Sequence, residues 1–232
     1  MAPSLLEWDS DHFGFPVALT PPVEPGVIKW CLEQKVRCAY CLIKAQDQKH
    51  IEWAESQGFV LADVRVTLDY PLKTAAASHS QPSVRTGAAD DKPALVKLSP
   101  SLFHQSRFFT DVRFPAERAQ RLYEIWMERS FDLSDKNTIL VTGERGHATG
   151  LITCAIDGKN QGTIGLYAVL PKQEGKGLGQ SLLGAAVEWF RARGAQSLSV
   201  VTQGRAVSAQ RAYQKSGFRT SDVSLWFHRW FD

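Results

Sequence analysis

The stretch Leu166-Tyr167-Ala168-Val169-Leu170-Pro171-Lys172-Gln173-Glu174-Gly175-Lys176-Gly177-Leu178-Gly179 decides how this chain is read. It runs from an apolar strand pattern into three glycines at alternate positions, and an amphipathic helix pattern follows to about Arg193. Glycine enters left-handed backbone conformations at little cost. Three of them in alternation let successive N–H groups turn toward one point. The helix behind them adds unpaired amides and the positive end of its dipole. Strand, loop and helix in that order form a cradle for a pyrophosphate; without a ligand the same glycines make only a tight turn. The pattern is not GxxxxGK[ST]. Nor is it a dinucleotide fingerprint: the spacing is GxGxG, and residues 198–202 (Leu-Ser-Val-Val-Thr) offer no acid about 20 residues on.

Outward from this loop the elements alternate. Residues 84–86 read as a short strand and 90–99 as a helix capped by Asp90. Residues 101–115 read as a loop rich in aromatic and basic side chains. Residues 116–131 are helical, with Leu122, Ile125, Trp126 and Arg129 at three- and four-residue spacing. Residues 138–142 and 148–157 are strands joined by a turn at Arg145-Gly146, and 162–170 is a third. A strand at 197–202, a helix at 206–215 and a strand at 223–230 complete the chain. The expected fold class is α/β (α+β), a mixed, mostly antiparallel sheet flanked by helices.

Residues 73–91 are poor in large apolar side chains. Their first part, 73–82, reads as a linker between an N-terminal domain at 1–72 and a larger domain at 83–232. The smaller domain repeats part of the larger one. Shifted by 159, residues 27–69 lie on 186–228 without a gap: Trp30 meets Trp189, Gly58-Phe59 meets Gly217-Phe218, and Asp63-Val64 meets Asp222-Val223. The counterpart of the glycine loop is then residues 14–20, Gly-Phe-Pro-Val-Ala-Leu-Thr, which offers no phosphate cradle. The N-terminal domain reads as a degenerate half-copy with a structural role, extending the sheet or walling a site.

Composition excludes several classes. The 232 residues are 44% hydrophobic and 22% charged, as in ordinary globular proteins. No apolar run reaches the roughly 18 residues of a membrane span. Residues 1–11 carry acids rather than a basic-then-apolar leader. A cytoplasmic protein with no membrane association is expected. The net charge of +3 is too small to argue for nucleic acid. Cys38 and Cys41 lie three apart in an apolar strand and so face opposite sides, which makes a shared metal site unexpected.

The order of strand, glycine loop, helix and strand, followed by Ala209…Tyr213-x-Lys215-x-Gly217-Phe218, resembles the GCN5-related N-acetyltransferase (GNAT) superfamily over about residues 83–232. The resemblance implies the GNAT fold and acetyl-CoA as co-substrate, with no metal. It places the pyrophosphate on Gly175, Lys176, Gly177, Leu178, Gly179 and Ser181, with Tyr213 and Lys215 also at the cofactor. It sets the pantetheine arm along Ala168 and Val169. Two departures stand out: Glu174 where the family has Gln or Arg, and Ala206 where an Asn is common. Tyr213 is the expected acid that protonates the leaving thiolate, since a phenol with a pKa of about 10 stays protonated at neutral pH. His104 is a candidate base, and the amide of Val169 a candidate donor to the thioester oxygen.

A narrower resemblance lies in residues 106–114, Ser-Arg-Phe-Phe-Thr-Asp-Val-Arg-Phe, and in 6–14, Leu-Glu-Trp-Asp-Ser-Asp-His-Phe-Gly. Both are similar to bacterial TDP-fucosamine acetyltransferases. The acceptor so implied is a TDP-4-amino-4,6-dideoxyhexose, a nucleotide amino sugar. Arg107 and Arg113 offer forked donors for its diphosphate and Phe108 an apolar surface; Ser106, Tyr167 and Gln203 complete the expected acceptor site. A homodimer through an exposed sheet edge fits such a fold. A protein N-terminus or small amine as acceptor, or a CoA-binding module without chemistry, stay open as alternatives.

Overall fold

The computed structural model describes residues 2–22, 26–72 and 84–231. The linker expected at 73–82 lies outside the described residues. The first part of the chain gives β1 (Ser4–Leu5), α1 (Glu7–Phe13), β2 (Val17–Thr20), α2 (Val27–Glu33), β3 (Cys38–Lys44), α3 (Gln48–Ser56) and β4 (Val60–Tyr70). There follow β5 (Val84–Thr86), α4 (Lys92–Leu102), α5 (Arg107–Thr110), α6 (Ala116–Arg129), β6 (Asn137–Glu144), β7 (His147–Ile156) and β8 (Gln161–Val169). The last elements are α7 (Leu178–Ala192), β9 (Ser197–Gln203), α8 (Val207–Lys215) and β10 (Arg219–Trp230). The described strands form one mixed sheet in the order β1-β2-β3-β10-β4-β9-β8-β7-β6-β5. Only β2–β3 and β8–β9 pair in parallel. No helix of the described residues is long and apolar enough to cross a membrane.

The 159-residue shift reappears in the strand register. Ser224 pairs with Arg65, its own equivalent, at the centre of β10–β4. On one side Ser224 pairs with Lys44, and on the other Arg65 pairs with Gln203, which is Lys44 shifted by 159. Strands β4 and β10 therefore lie side by side about a local two-fold axis, each between its partner and the preceding strand of the other segment. The repeated Gly-Phe is a helix stop. Gly58 and Gly217 have φ of +76° and +97°, and the Phe59 and Phe218 amides reach back to Ala54 and Tyr213 carbonyls. That is the Schellman geometry, which glycine adopts without a Cβ clash.

Alternation along the strands sorts two faces. Val66, Leu68, Leu198 and Val200 join Leu182, Leu183, Val187 and Phe190 of α7 and Tyr213 of α8 in one core. Tyr40, Cys38 and Trp226 face the other way, onto Phe108 and Phe114, with Leu122 and Tyr123 of α6. Cys41 belongs to a third cluster, beneath α2 and α3, so Cys38 and Cys41 do lie on opposite faces.

Three local expectations are corrected. Asp91, not Asp90, stands at the start of α4, and its carboxylate does not cap that helix. It is fully buried and accepts from the Arg85 guanidinium at 2.7 and 2.9 Å and from the amides of Ala88 and Gly146. Residues 101–115 are not all loop: α4 runs to Leu102 and α5 is a further helical turn. The parallel β2–β3 pairing makes β2 the equivalent of β8. The place of the glycine loop therefore falls after Thr20, while residues 17–20 are strand.

Asp91 joins β5, the β6–β7 turn and α4. Asp91→Ala strands a partly buried guanidinium and two amides and should cost on the order of 3 kcal/mol in urea unfolding at pH 7. The bond from Arg85 holds the carboxyl at about 2. Its stabilisation is present above the ordinary aspartate range and fades as pH falls toward 2, so the gap between wild type and variant should narrow there. An equal gap at pH 7 and pH 2.5 would contradict the assignment.

Candidate active site

Strand β8 is irregular where it passes β7. Tyr167 pairs with Ile152 and Ile164 with Cys154, which leaves Gly165 and Leu166 opposite the single residue Thr153. This is a bulge, and the Leu166 amide donates to Thr153 Oγ1 at 2.7 Å. On its other side β8 pairs with β9 only from Gln161↔Ser197 to Ile164↔Val200. Beyond the bulge the two parallel strands diverge. A cleft of about 580 Å³ opens between Leu166–Val169 and Val201–Gln203.

One end of the cleft is the glycine loop at the start of α7. Gly175 and Gly177 have φ of +76° and +80°. A Cβ on Gly179 would stand 2.3 Å from Tyr167 Oη. Glycine is thus required twice for backbone conformation and once for close approach. Pro171, Gln173, Glu174 and Leu178 complete this end, and Ala206, Ser208, Ala209 and Ala212 line the α8 side. Among the described lining residues none is Lys or Arg. Small side chains, a helix start and an unpaired strand edge fit a pyrophosphate and amide arm held through the backbone.

Comparison with known proteins accords with this geometry. The sequence profile of the Acetyltransferase (GNAT) family matches residues 101–218. This chain belongs to that family. The family uses acetyl-CoA, and the chain is an acyl-CoA N-acetyltransferase. A dTDP-fucosamine acetyltransferase of Escherichia coli O6:H1 is 26% identical, over 97% of this chain and 96% of that one. The spore coat polysaccharide biosynthesis protein SpsD of Bacillus subtilis is 24% identical over 60% of this chain and 48% of its own. The GCN5-related N-acetyltransferase of Sphaerobacter thermophilus superposes with a TM-score of 0.69 at 14% identity. It covers 98% of this chain and 76% of its own, and it shares the fold.

The cleft brings together Ala168, Val169, Gly175, Gly177, Leu178, Gly179, Tyr213, Tyr167 and Gln203 of the residues expected from sequence. Lys176, Ser181 and Lys215 are not on its wall. Lys176 is exposed and donates to Gln173 Oε1, and the Ser181 hydroxyl donates to the Gly177 carbonyl. Lys215 is exposed at the end of α8. The Tyr213 ring lies 5.2 Å from that of Tyr167. Burial pushes the Tyr213 phenol far up and that of Tyr167 up to about 12, so both stay protonated at neutral pH.

His104 also lines the cleft. Its Nδ1 lies 2.7 Å from the Ser101 carbonyl. A carbonyl only accepts, so Nδ1 carries the proton and Nε2 keeps its lone pair in the neutral ring. Phe103, at the end of α4, and Tyr123 and Trp126 of α6 line the cleft as well. The helical spacing of Tyr123 and Trp126 is that of ordinary core residues, so it gives them no place in a site by itself.

The structure does not bring Ser106, Arg107, Phe108 and Arg113 to this cleft. The Arg107 guanidinium is enclosed by the rings of Tyr40, Phe108 and Trp226 at 4.2–4.4 Å and donates to His228 Nε2 at 2.8 Å. Burial lowers His228 to about 4, so the imidazole is neutral, its Nδ1–H donating to Asp111. Arg113 is exposed and paired to the same Asp111. Burial opposes ionisation of Asp111, but the bonds from His228, Arg113 and Trp230 hold its carboxyl well below the usual range.

The close approach at Gly179 has a direct test. Gly179→Ala should weaken acetyl-CoA binding at least about tenfold in calorimetry, because the displaced Tyr167 deforms the loop. Removing the hydroxyl leaves Tyr167 Cζ at 3.4 Å, an ordinary contact. The double variant Gly179→Ala, Tyr167→Phe should therefore recover most of the affinity. No recovery would mean that the clash is not the cause.

Proposed function

We propose that this enzyme transfers the acetyl group of acetyl-CoA to the amino group of a nucleotide-linked amino-dideoxysugar, of the TDP-4-amino-4,6-dideoxyhexose class. The observation that carries this reading is the collinear similarity to a dTDP-fucosamine acetyltransferase along 97% of the chain. It includes the N-terminal strands as well as the acetyltransferase segment. The name of the spore coat polysaccharide relative points toward sugar chemistry as well. In this reading residues 1–72 are a structural half-copy and 83–232 the acetyltransferase domain, and the enzyme works in the cytoplasm.

Direct acetyl transfer asks three things of the protein. The thioester must be held with its oxygen polarised, and the free edge of β8 at Val169 offers an amide for this. The ammonium of the acceptor must lose a proton. In this reading His104, a residue of the cleft lining oriented through the Nδ1 bond to Ser101, takes it on Nε2. The departing thiolate must gain a proton, and Tyr213, kept neutral by burial, is the donor. The thiols of Cys31, Cys38, Cys41 and Cys154 are buried and pushed above their ordinary pKa, so none suits a covalent route.

Two measurements test the reading. Mass spectrometry should detect an acetylated TDP-amino sugar from acetyl-CoA and TDP-4-amino-4,6-dideoxy-galactose, with the gluco epimer and UDP-amino sugars as comparators. Acetylation of peptides or small amines alone would overturn it. Tyr213→Phe should lower kcat by about 10²–10⁴-fold while acetyl-CoA affinity stays within a few-fold. Full turnover in that variant would remove Tyr213 from the chemistry.

A further inference from the structure

We propose that Arg65 anchors the diphosphate of the acceptor; this rests on the nucleotide-sugar reading. Arg65 lies in the middle of β4, where Val64, Val66 and Leu68 pack toward α7 and α8. Alternation sends Arg65 to the opposite face, with Asp63 and Thr67. It stands directly opposite Gln203 of β9 on one side and Ser224 of β10 on the other. Ser224 in turn stands opposite Lys44 of β3. Directly opposed residues project from one face about 5 Å apart. A row Lys44–Ser224–Arg65–Gln203 thus crosses four strands and ends on the wall of the cleft.

Charge along this row is unevenly committed. Lys44 is bonded to Asp222 at 2.6 Å, and the Ser224 hydroxyl donates to the same carboxylate. Arg65 donates to Thr67 Oγ1 at 3.2 Å, and among the described residues no carboxylate lies within ion-pair distance of its guanidinium. Nearby arginines are occupied: Arg107 by three rings and His228, Arg113 by Asp111, Arg205 by Asp63. Asp222, already bonded to Lys44 and Ser224, feels the charge of Arg65 without touching it, so the half-buried guanidinium keeps its forked donors for an incoming anion. The cleft wall itself has no Lys or Arg among its described residues. An acceptor whose amino group reaches the cleft past Gln203 would extend its phosphates one strand over, onto Arg65.

The experiment titrates dTDP into the full chain by calorimetry, with acetyl-CoA titrated separately. The variants are Arg65→Gln, Arg65→Lys and, as a control for lost surface charge, Arg121→Gln on the outer face of α6. Arg65→Gln should weaken dTDP binding by about 10- to 100-fold, the value of one or two charge-assisted bonds, and raise the KM for the sugar in step. Acetyl-CoA affinity and kcat should change less than about threefold. Arg65→Lys should lose less, and it keeps the test decisive if the glutamine variant fails to fold. Arg121→Gln should match wild type. If wild type binds dTDP and acetylates the nucleotide sugar while Arg65→Gln binds dTDP equally well, the assignment of Arg65 is overturned and the substrate reading stands. If wild type neither binds dTDP nor acetylates any nucleotide sugar, the substrate reading falls and the anchor falls with it.

Discussion

The site depends on the place where β8 sets two residues against one of β7. Gly165 and Leu166 oppose Thr153, and the Thr153 hydroxyl takes the Leu166 amide. A Cβ on Gly165 would stand 2.8 Å from that hydroxyl, so the bulge and the glycine require each other. A regular β8 would stay zipped to β9 as far as Tyr167, opposite Gln203, and close the cleft. Because it bends away after Ile164, backbone groups on its free edge lack a strand partner. Polar backbone groups in such a position need a partner. An extended amide-bearing ligand can supply one by lying where the next strand would be. In the proposed reading, the co-substrate completes the sheet.

The N-terminal segment matters for the same reason. It is not appended to the edge of a finished domain. Strand β4 lies between β9 and β10, and β10 lies between β4 and β3. Without β4, β9 would have a bare edge on one side and a diverging β8 on the other. The 159-residue relation explains why this works: two similar strand–helix–strand units exchange their last strands about the Ser224–Arg65 pair. The arrangement duplicates the sheet but not the cleft, since β2 ends at Thr20 with no long arm beyond its pairing to β3.

Local features of this fold were legible in the sequence. Glycines at 175, 177 and 179 carry their own conformational meaning, and the strand and helix around them have clear periods. The Gly-Phe stops after α3 and α8 are equally local. What sequence could not display is pairing across long separations. Nothing near residue 65 announces that β4 slips between β9 and β10. Nothing near Arg107 announces that Tyr40, Trp226 and His228 will enclose it. Arg107 and Arg113 looked like free forked donors beside aromatic rings, the composition expected of a diphosphate site. In the fold they fasten α5 to the sheet through His228 and Asp111. The partners that hold Arg107 come from distant strands, while Arg113 is taken by Asp111 of its own segment, itself fixed by His228 and Trp230.

The lack of Lys and Arg on the described cleft wall and the role proposed for Tyr213 are one constraint seen twice. A phenol can act as an acid only while it keeps its proton, and a nearby lysine or arginine would stabilise the tyrosinate. Phosphates nevertheless need compensation. In the proposed reading, backbone amides at the glycine loop and at the start of α7 provide it through fixed dipoles, which fall off over a shorter range than a full charge. Tyr213 lies in the α8 wall beside Tyr167, shielded by Phe218 at 5.6 Å, so its surroundings are apolar and its proton is secure. A cation used for the acceptor must then stand back from the reacting atoms. Arg65, one strand beyond Gln203 and on the far face from Tyr213, meets that condition. A guanidinium on the cleft wall would not.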